Sequence, residues 1–140
     1  MNFLTLLLLS FFSLSSQSET VDLEITITNI KTLKGNIELG VYNDPKLFLE
    51  KGRAYKSFTK KVTGDSMVIT VKDLPKAEYA VAIYHDVNAD NECNLNFFGF
   101  PVEPYGFSNN FKPKLSKPSF SDCKFQVNAN NPSIQIKLSK

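Results

Sequence analysis

One acidic, amide-rich segment carries the residue types that could do chemistry. It reads Asp86-Val87-Asn88-Ala89-Asp90-Asn91-Glu92-Cys93-Asn94. Asp86, Asn88 and Asp90 stand at alternate positions, so a curling loop can point three side-chain oxygens at one centre. Calcium takes about six to eight such oxygens. The predicted ligands of a calcium ion or a similar hard cation are Asp86, Asn88, Asp90 and Asn94.

This segment matches only the beginning of an EF-hand loop. Asn91 stands where that loop has glycine, and Phe97 stands where it has the bidentate glutamate. No helix is predicted on either side. Two interpretations therefore remain open, namely a looser cation site and a polar turn held by Asx hydrogen bonds.

The single histidine, His85, precedes this segment. It is predicted either to bond the following loop or to act as a ligand or catalytic group. A hydrolase using His85, Asp86 and Glu103 is the enzyme alternative. A Ser108-His85-Asp86 triad is disfavoured because the nucleophile elbow and its parallel sheet are absent. Zinc is not indicated, since one His and two Cys lack paired spacing.

The segment from Asp86 to Pro118 shows no strand or helix periodicity. It is rich in aromatic residues, with glycines and prolines for turns, so we predict an ordered loop rather than a disordered one. Loop 85–118 is expected to form a recognition or calcium-stabilised surface for a carbohydrate or peptide. The candidate ligand-binding residues are His85, Asp86, Glu103, Tyr105, Ser108 and Asn109.

The elements that must position this loop are short strands. Apolar residues alternate with polar ones along about seven segments. These segments lie near residues 21–27, 37–41, 55–62, 67–71, 79–85, 123–127 and 134–138. The pattern predicts an all-β fold, a single immunoglobulin-like or transthyretin-like sandwich. Tyr79, just after Leu74-Pro75, resembles the strand-entry tyrosine of such sandwiches.

The segment from Tyr55 to Val62 contains several lysines, which suit a solvent-facing edge strand. A further alternative function is therefore a structural or partner-binding protein that pairs through an edge strand.

The N-terminal apolar run predicts a compartment. Residues 3–14 are too short to span a bilayer comfortably and are followed by Ser16-Gln17-Ser18. We therefore predict a signal peptide over 1–18, a domain over 19–140, and an exported protein, either periplasmic or extracellular. An uncleaved N-terminal anchor is the alternative. The rest of the chain has no second apolar segment, hence no predicted membrane span.

A formal net charge of +2 is too small to indicate nucleic-acid binding. The two cysteines, Cys93 and Cys123, predict a disulfide in an exported protein. Two separate thiols are the alternative.

The residues of the loop also carry a family resemblance. They include His85-Asp86, Asn88, Asn91, Asn96, Gly99-Phe100-Pro101, Glu103, Tyr105-Gly106-Phe107-Ser108-Asn109, Pro118-Ser119-Phe120 and Asp122. This set resembles the signature of DUF2141, a bacterial family of exported proteins of unknown function. The resemblance covers essentially the whole domain and implies a β-sandwich, but no established activity. Asp90, Asn91, Cys93 and Asn94 depart from the family pattern.

Overall fold

The structure, a computed structural model, describes residues 15–96 and 99–140. Its strands are β1 (Thr20–Thr28), β2 (Asn36–Tyr42), β3 (Lys56–Lys61), β4 (Met67–Pro75), β5 (Ala77–Asp86), β6 (Tyr105–Phe107), β7 (Phe125–Val127) and β8 (Ser133–Lys137). A 3-10 turn (Ser108–Asn110) follows β6, and one helical turn, α1 (Phe120–Cys123), precedes β7.

These strands form two sheets. The first has the order β4-β1-β8, and the second has the order β3-β2-β5-β6, with β7 paired to the start of β5. All neighbours are antiparallel except β1 and β8, which are parallel. The all-β sandwich predicted from the alternation is confirmed. The additional strand is β6, which lies inside the predicted loop.

The core between the sheets follows from the period of a strand. Successive side chains point to opposite faces, so every second residue of a strand can be buried. On β1 these are Leu23, Ile25 and Ile27, and all three are fully buried. Ile37, Leu39 and Val41 of β2 and Tyr79, Val81 and Ile83 of β5 are also buried, and they form one cluster with residues of β1, β4 and β8.

A second apolar layer covers the outer face of the β3-β2-β5-β6 sheet. The buried members of this layer are Phe48, Ala80, Phe107, Phe120 and Cys123. The ring of Phe48 packs edge-on against Tyr42 at 5.3 Å and Phe120 at 6.0 Å between centroids. Because β5 is covered on both faces, it is the central strand from which the loop departs.

The entry to β5 is fixed by Tyr79. Its ring is buried, and its hydroxyl donates a hydrogen bond of 2.8 Å to the carbonyl of Pro75. This side-chain bond back to the preceding corner is the tyrosine corner of sandwich folds.

One side of the sandwich is closed by backbone and side-chain hydrogen bonds. Tyr105 and Ser139 exchange two backbone bonds of 2.9 Å, which join β6 to the chain after β8. The Asn110 amide accepts from Lys137 N at 2.8 Å and donates to the Gln135 carbonyl at 3.2 Å. The two sheets are therefore joined along the β6/β8 side.

Residues 1–14 of the predicted signal peptide lie outside the described residues, as do Phe97 and Phe98 of the loop. Within the described ranges, no helix has the length and apolar character needed to cross a membrane.

Candidate functional site

His85 ends the core-facing row of β5 and is fully buried. Its Nε2 lies 2.7 Å from the carbonyl oxygen of Lys34. A carbonyl only accepts, so the hydrogen of this bond is on Nε2. Nδ1 is buried, with no hydrogen-bond partner among the described residues. His85 therefore ties the turn before β2 to the end of β5.

Gly35 allows the backbone of that turn to approach β5. A Cβ at this position would lie 2.1 Å from the carbonyl oxygen of Asp86 and 2.8 Å from Cα of Val87. The residue also has φ of +75°, which glycine adopts without strain. Only glycine fits here, so the start of the loop is fixed against β2.

Asp86 is fully buried on the opposite face of β5 from His85. Its Oδ1 accepts from Asp90 N at 3.1 Å, and its Oδ2 accepts from Asn91 N at 2.8 Å. Ala89 and Asn91 have positive φ, so the chain turns sharply back over the carboxylate. The carboxylate thereby organises the first turn of the β5–β6 loop, residues 87–104.

Glu103 holds the same loop from its other end. It is 8% exposed, and its Oε1 accepts from Val87 N at 3.2 Å. The backbone N–H of His85 donates to the Pro104 carbonyl at 2.8 Å. The two ends of the β5–β6 loop are therefore tied together by hydrogen bonds. Oε2 of Glu103 is buried without a partner among the described residues.

The predicted metal ligands do come together, with Asp90 at their centre. Asp90 Oδ2 accepts from the side-chain amides of Asn88 and Asn94, each at 3.0 Å. The bond from Asn94, followed by the bond from the Glu92 N–H, lowers the pKa of Asp90. Over residues 15–96 and 99–140, no three His, Cys, Asp or Glu side chains are arranged to hold a metal. Side-chain oxygens of Asp86, Asn88 and Asp90 accept hydrogen bonds within the loop, as in Asx turns, and the cation site stays a prediction.

The outer part of the loop is a small hairpin, formed by residues 94–96 and 99–102. Val102 N donates to the Asn94 carbonyl at 2.8 Å, and Asn96 N donates to the Phe100 carbonyl at 2.7 Å. Leu95 is paired with Pro101 across this hairpin. Leu95 is 54% exposed and Val102 is 42% exposed. The hairpin therefore presents apolar side chains to solvent.

Three predicted ligand-binding residues make contacts within the fold. Ser108 is fully buried; its Oγ accepts from Val81 N at 2.9 Å and donates to the Cys123 carbonyl at 2.5 Å. The exposed Asn109 donates to the Lys124 carbonyl at 2.9 Å. Tyr105 pairs with Tyr84 in β5. Ser108 and Asn109 thus join the end of β6 to α1 and the residue after it.

The hydrolase alternative requires His85, Asp86 and Glu103 to converge in an open cleft. All three are buried, and His85 and Asp86 are on opposite faces of β5. Their hydrogen bonds go to the backbone of the surrounding loops. This geometry gives the hydrolase alternative no support.

The predicted disulfide is not present, because Cys93 and Cys123 are both free thiols. Cys93 is exposed in the loop, whereas Cys123 is buried in the cluster that contains Ala80. Sequence spacing could not show this, since the loop between the cysteines sets the separation.

Tyr84 and Glu38 belong to the site but were not singled out from sequence. Burial, followed by the nearby carboxylate of Glu38, raises the pKa of Tyr84. The charges of Asp86 and Glu103 raise the pKa of this phenol further. Glu38 and Tyr84 are paired across β2 and β5, so the outer face of β5 ends in an acidic cluster. Only the register of β2 against β5 brings Glu38 and Tyr84 together, and a single sequence does not determine that register.

The molecule belongs to the class of β-sandwich domains, and its central strand, β5, leads into a loop held by internal hydrogen bonds. Residues 25–135 match DUF2141, described as uncharacterized proteins conserved in bacteria. The chain therefore belongs to this family, as the loop residues predicted. No curated protein and no solved structure matches the chain.

Proposed function

We propose that the protein is an exported, non-catalytic β-sandwich domain whose β5–β6 loop recognises a carbohydrate or peptide ligand. The observation that carries this proposal is the contrast within the loop. Its inner side is tied down by buried Asp86 and Glu103, while its outer hairpin exposes Leu95 and Val102.

The internal ties support recognition because they make the loop rigid before a ligand arrives. The buried carboxylates accept backbone N–H groups near the start of the loop, and His85 N bonds the residue at its end. A loop that is already ordered loses little conformational entropy on binding, which favours affinity.

The exposed apolar side chains of Leu95 and Val102 support recognition, because contact with a ligand would remove them from water. The same loop also carries exposed polar residues, including Asp90, Glu92 and Asn96. An apolar centre with a polar surround is the usual composition of a recognition patch.

The test is a glycan array and a peptide array probed with residues 19–140. Leu95→Ser with Val102→Ser should abolish the strongest signal, whereas Leu115→Ser, at a 95% exposed leucine outside this loop, should retain it. A signal that survives the double substitution would place recognition elsewhere.

Export is tested separately. The full chain is expressed in a bacterial host, and the N-terminus of the product is sequenced after fractionation. A periplasmic or secreted product beginning at Glu19 supports export, and an uncleaved cytoplasmic product contradicts it.

A second candidate is a loop stabilised by calcium. The grouping of Asn88 and Asn94 around the Asp90 carboxylate favours it, because rotation of the two amides would turn their oxygens toward a cation. Calcium at millimolar concentration should then raise the melting temperature of residues 19–140, and a chelator should reverse the rise.

The matched variants are Asp90→Asn, which should abolish the calcium shift, and Asp65→Asn, an exposed acid in another loop, which should keep it. An unchanged melting temperature would leave the segment as a hydrogen-bonded turn.

A further inference from the structure

The side of the sandwich opposite to β6 and β8 is open. β3 and β4 are the outermost strands of their sheets, and within the described residues each has a strand partner on one side only. The free edge of β3 therefore offers backbone N–H and C=O groups that have no strand partner.

A groove lies between these two edges. Its volume is about 460 Å³, and it is lined by Lys56, Ser57, Phe58, Thr70, Lys72 and Asp73. The ring of Phe58 is partly buried and packs against the core. The groove therefore has an apolar component beside polar strand edges, which is the environment that an added strand requires.

Lysines outnumber acids at this groove. Lys56 and Lys72 line it together with one acid, Asp73, and Lys60 and Lys61 lie further along β3. Across residues 15–96 and 99–140, the ion pairs are Lys76–Glu19 and Lys124–Glu78, so none of these four lysines is in an ion pair. Lys56 Nζ donates to the Lys72 carbonyl, which places one ammonium across the groove.

We propose that the groove between β3 and β4 receives an extended acidic peptide as an added strand along β3. The free edge supplies main-chain hydrogen bonds, and the lysines supply complementary charge. A second copy of β3 is disfavoured because it would bring lysines against lysines. The proposal involves no residue of the β5–β6 loop, so it stands or falls independently of recognition by that loop.

The probe is a fluorescein-labelled octapeptide of alternating glutamate and valine, titrated into residues 19–140 and followed by fluorescence anisotropy and amide chemical shifts. We expect binding, with shifts concentrated on β3. Lys56→Gln with Lys60→Gln should weaken the affinity about tenfold. Lys112→Gln with Lys114→Gln, a matched pair of exposed lysines elsewhere, should leave it within about twofold.

A second peptide separates strand addition from charge attraction alone. The same octapeptide, N-methylated at alternate residues, keeps its charge but loses backbone donors, and it should bind about tenfold more weakly. Any one of three results would overturn the proposal. The methylated peptide could bind as tightly as the parent peptide, the two lysine double variants could lose affinity equally, or the parent peptide could fail to bind.

Discussion

The two sides of this sandwich differ in how the backbone hydrogen-bonding groups of their edge strands are satisfied. On the β6/β8 side the chain satisfies its own backbone groups, through the Tyr105–Ser139 pair and the amide of Asn110. On the β3/β4 side the edges remain open, and lysines surround them. The hydrogen bonds on the β6/β8 side add stability. The lysines on the β3/β4 side protect the open edges against self-pairing. Substitutions on the two sides should therefore have different consequences.

The largest effect is expected where β6 approaches β8. A Cβ at Gly106 would lie 2.7 Å from Cγ2 of Ile136 and 3.3 Å from the Lys137 carbonyl. Gly106→Val should therefore lower the free energy of unfolding by about 3 kcal/mol, measured by urea denaturation. Gly64→Val, in the turn between β3 and β4, should change it by less than about 1 kcal/mol. Equal losses of unfolding free energy for Gly106→Val and Gly64→Val would contradict the expected difference between the two sides of the sandwich.

The next effect concerns the buried hydroxyl of Ser108. Ser108→Ala leaves Val81 N and the Cys123 carbonyl without this partner, so the free energy of unfolding should fall by about 2 kcal/mol. Ser57→Ala, on exposed β3, should change it by less than about 0.5 kcal/mol.

The reactivity of Cys123 provides a second readout of the same change. Burial raises the pKa of this thiol to about 12, so in the folded protein it should react slowly with a thiol reagent at pH 8. Ser108→Ala should speed its labelling, whereas Ser57→Ala should not. Rapid labelling of Cys123 in the unsubstituted protein would contradict its burial.

A smaller effect is expected at Asn110, whose amide extends the edge of β8. Asn110→Asp keeps the acceptor for Lys137 N but removes the donor to Gln135, and it should cost about 1 kcal/mol of unfolding free energy. Amide hydrogen exchange at Lys137 should change little, because its acceptor oxygen is kept. Asn43→Asp, at an exposed residue after β2, is the matched control and should leave the free energy of unfolding unchanged.

The smallest effect on folding is expected at the open edge. Lys60→Val should change the free energy of unfolding by less than about 0.5 kcal/mol, because the side chain is exposed. It should nevertheless promote self-association in sedimentation velocity, since an edge lysine has been lost. Lys114→Val, away from any strand edge, should not. A Lys60→Val protein that sediments like the unsubstituted chain would show that the lysine does not protect the edge.

Most of the sandwich could be predicted because its strands alternate with period two. That signal fails for β6, since Tyr105-Gly106-Phe107 is too short to show a period and lies in a segment rich in turns. The closure between Tyr105 and Ser139 was equally hidden, because backbone hydrogen bonds leave no mark on residue type. Long-range pairing, rather than local pattern, decides these features.

The site was predicted in part. Asp86, Asn88, Asp90 and Asn94 are indeed neighbours, because alternate positions in a tight loop turn toward one another. Ser108 carries the same polar group that a ligand site needs, yet its hydroxyl is used inside the fold. Residue type alone does not distinguish the two uses, since both satisfy a hydrogen-bonding group.

The parallel pairing of β1 with β8 has a consequence for the order of folding. Glu24 of β1 is paired with Ser133 of β8, so β1, the central strand of the first sheet, cannot complete its pairing until β8 has been added. Contacts of such sequence separation slow folding, and until β8 arrives one edge of apolar β1 is bare. A chain shortened before Ser133 would keep that edge exposed permanently and should aggregate rather than fold.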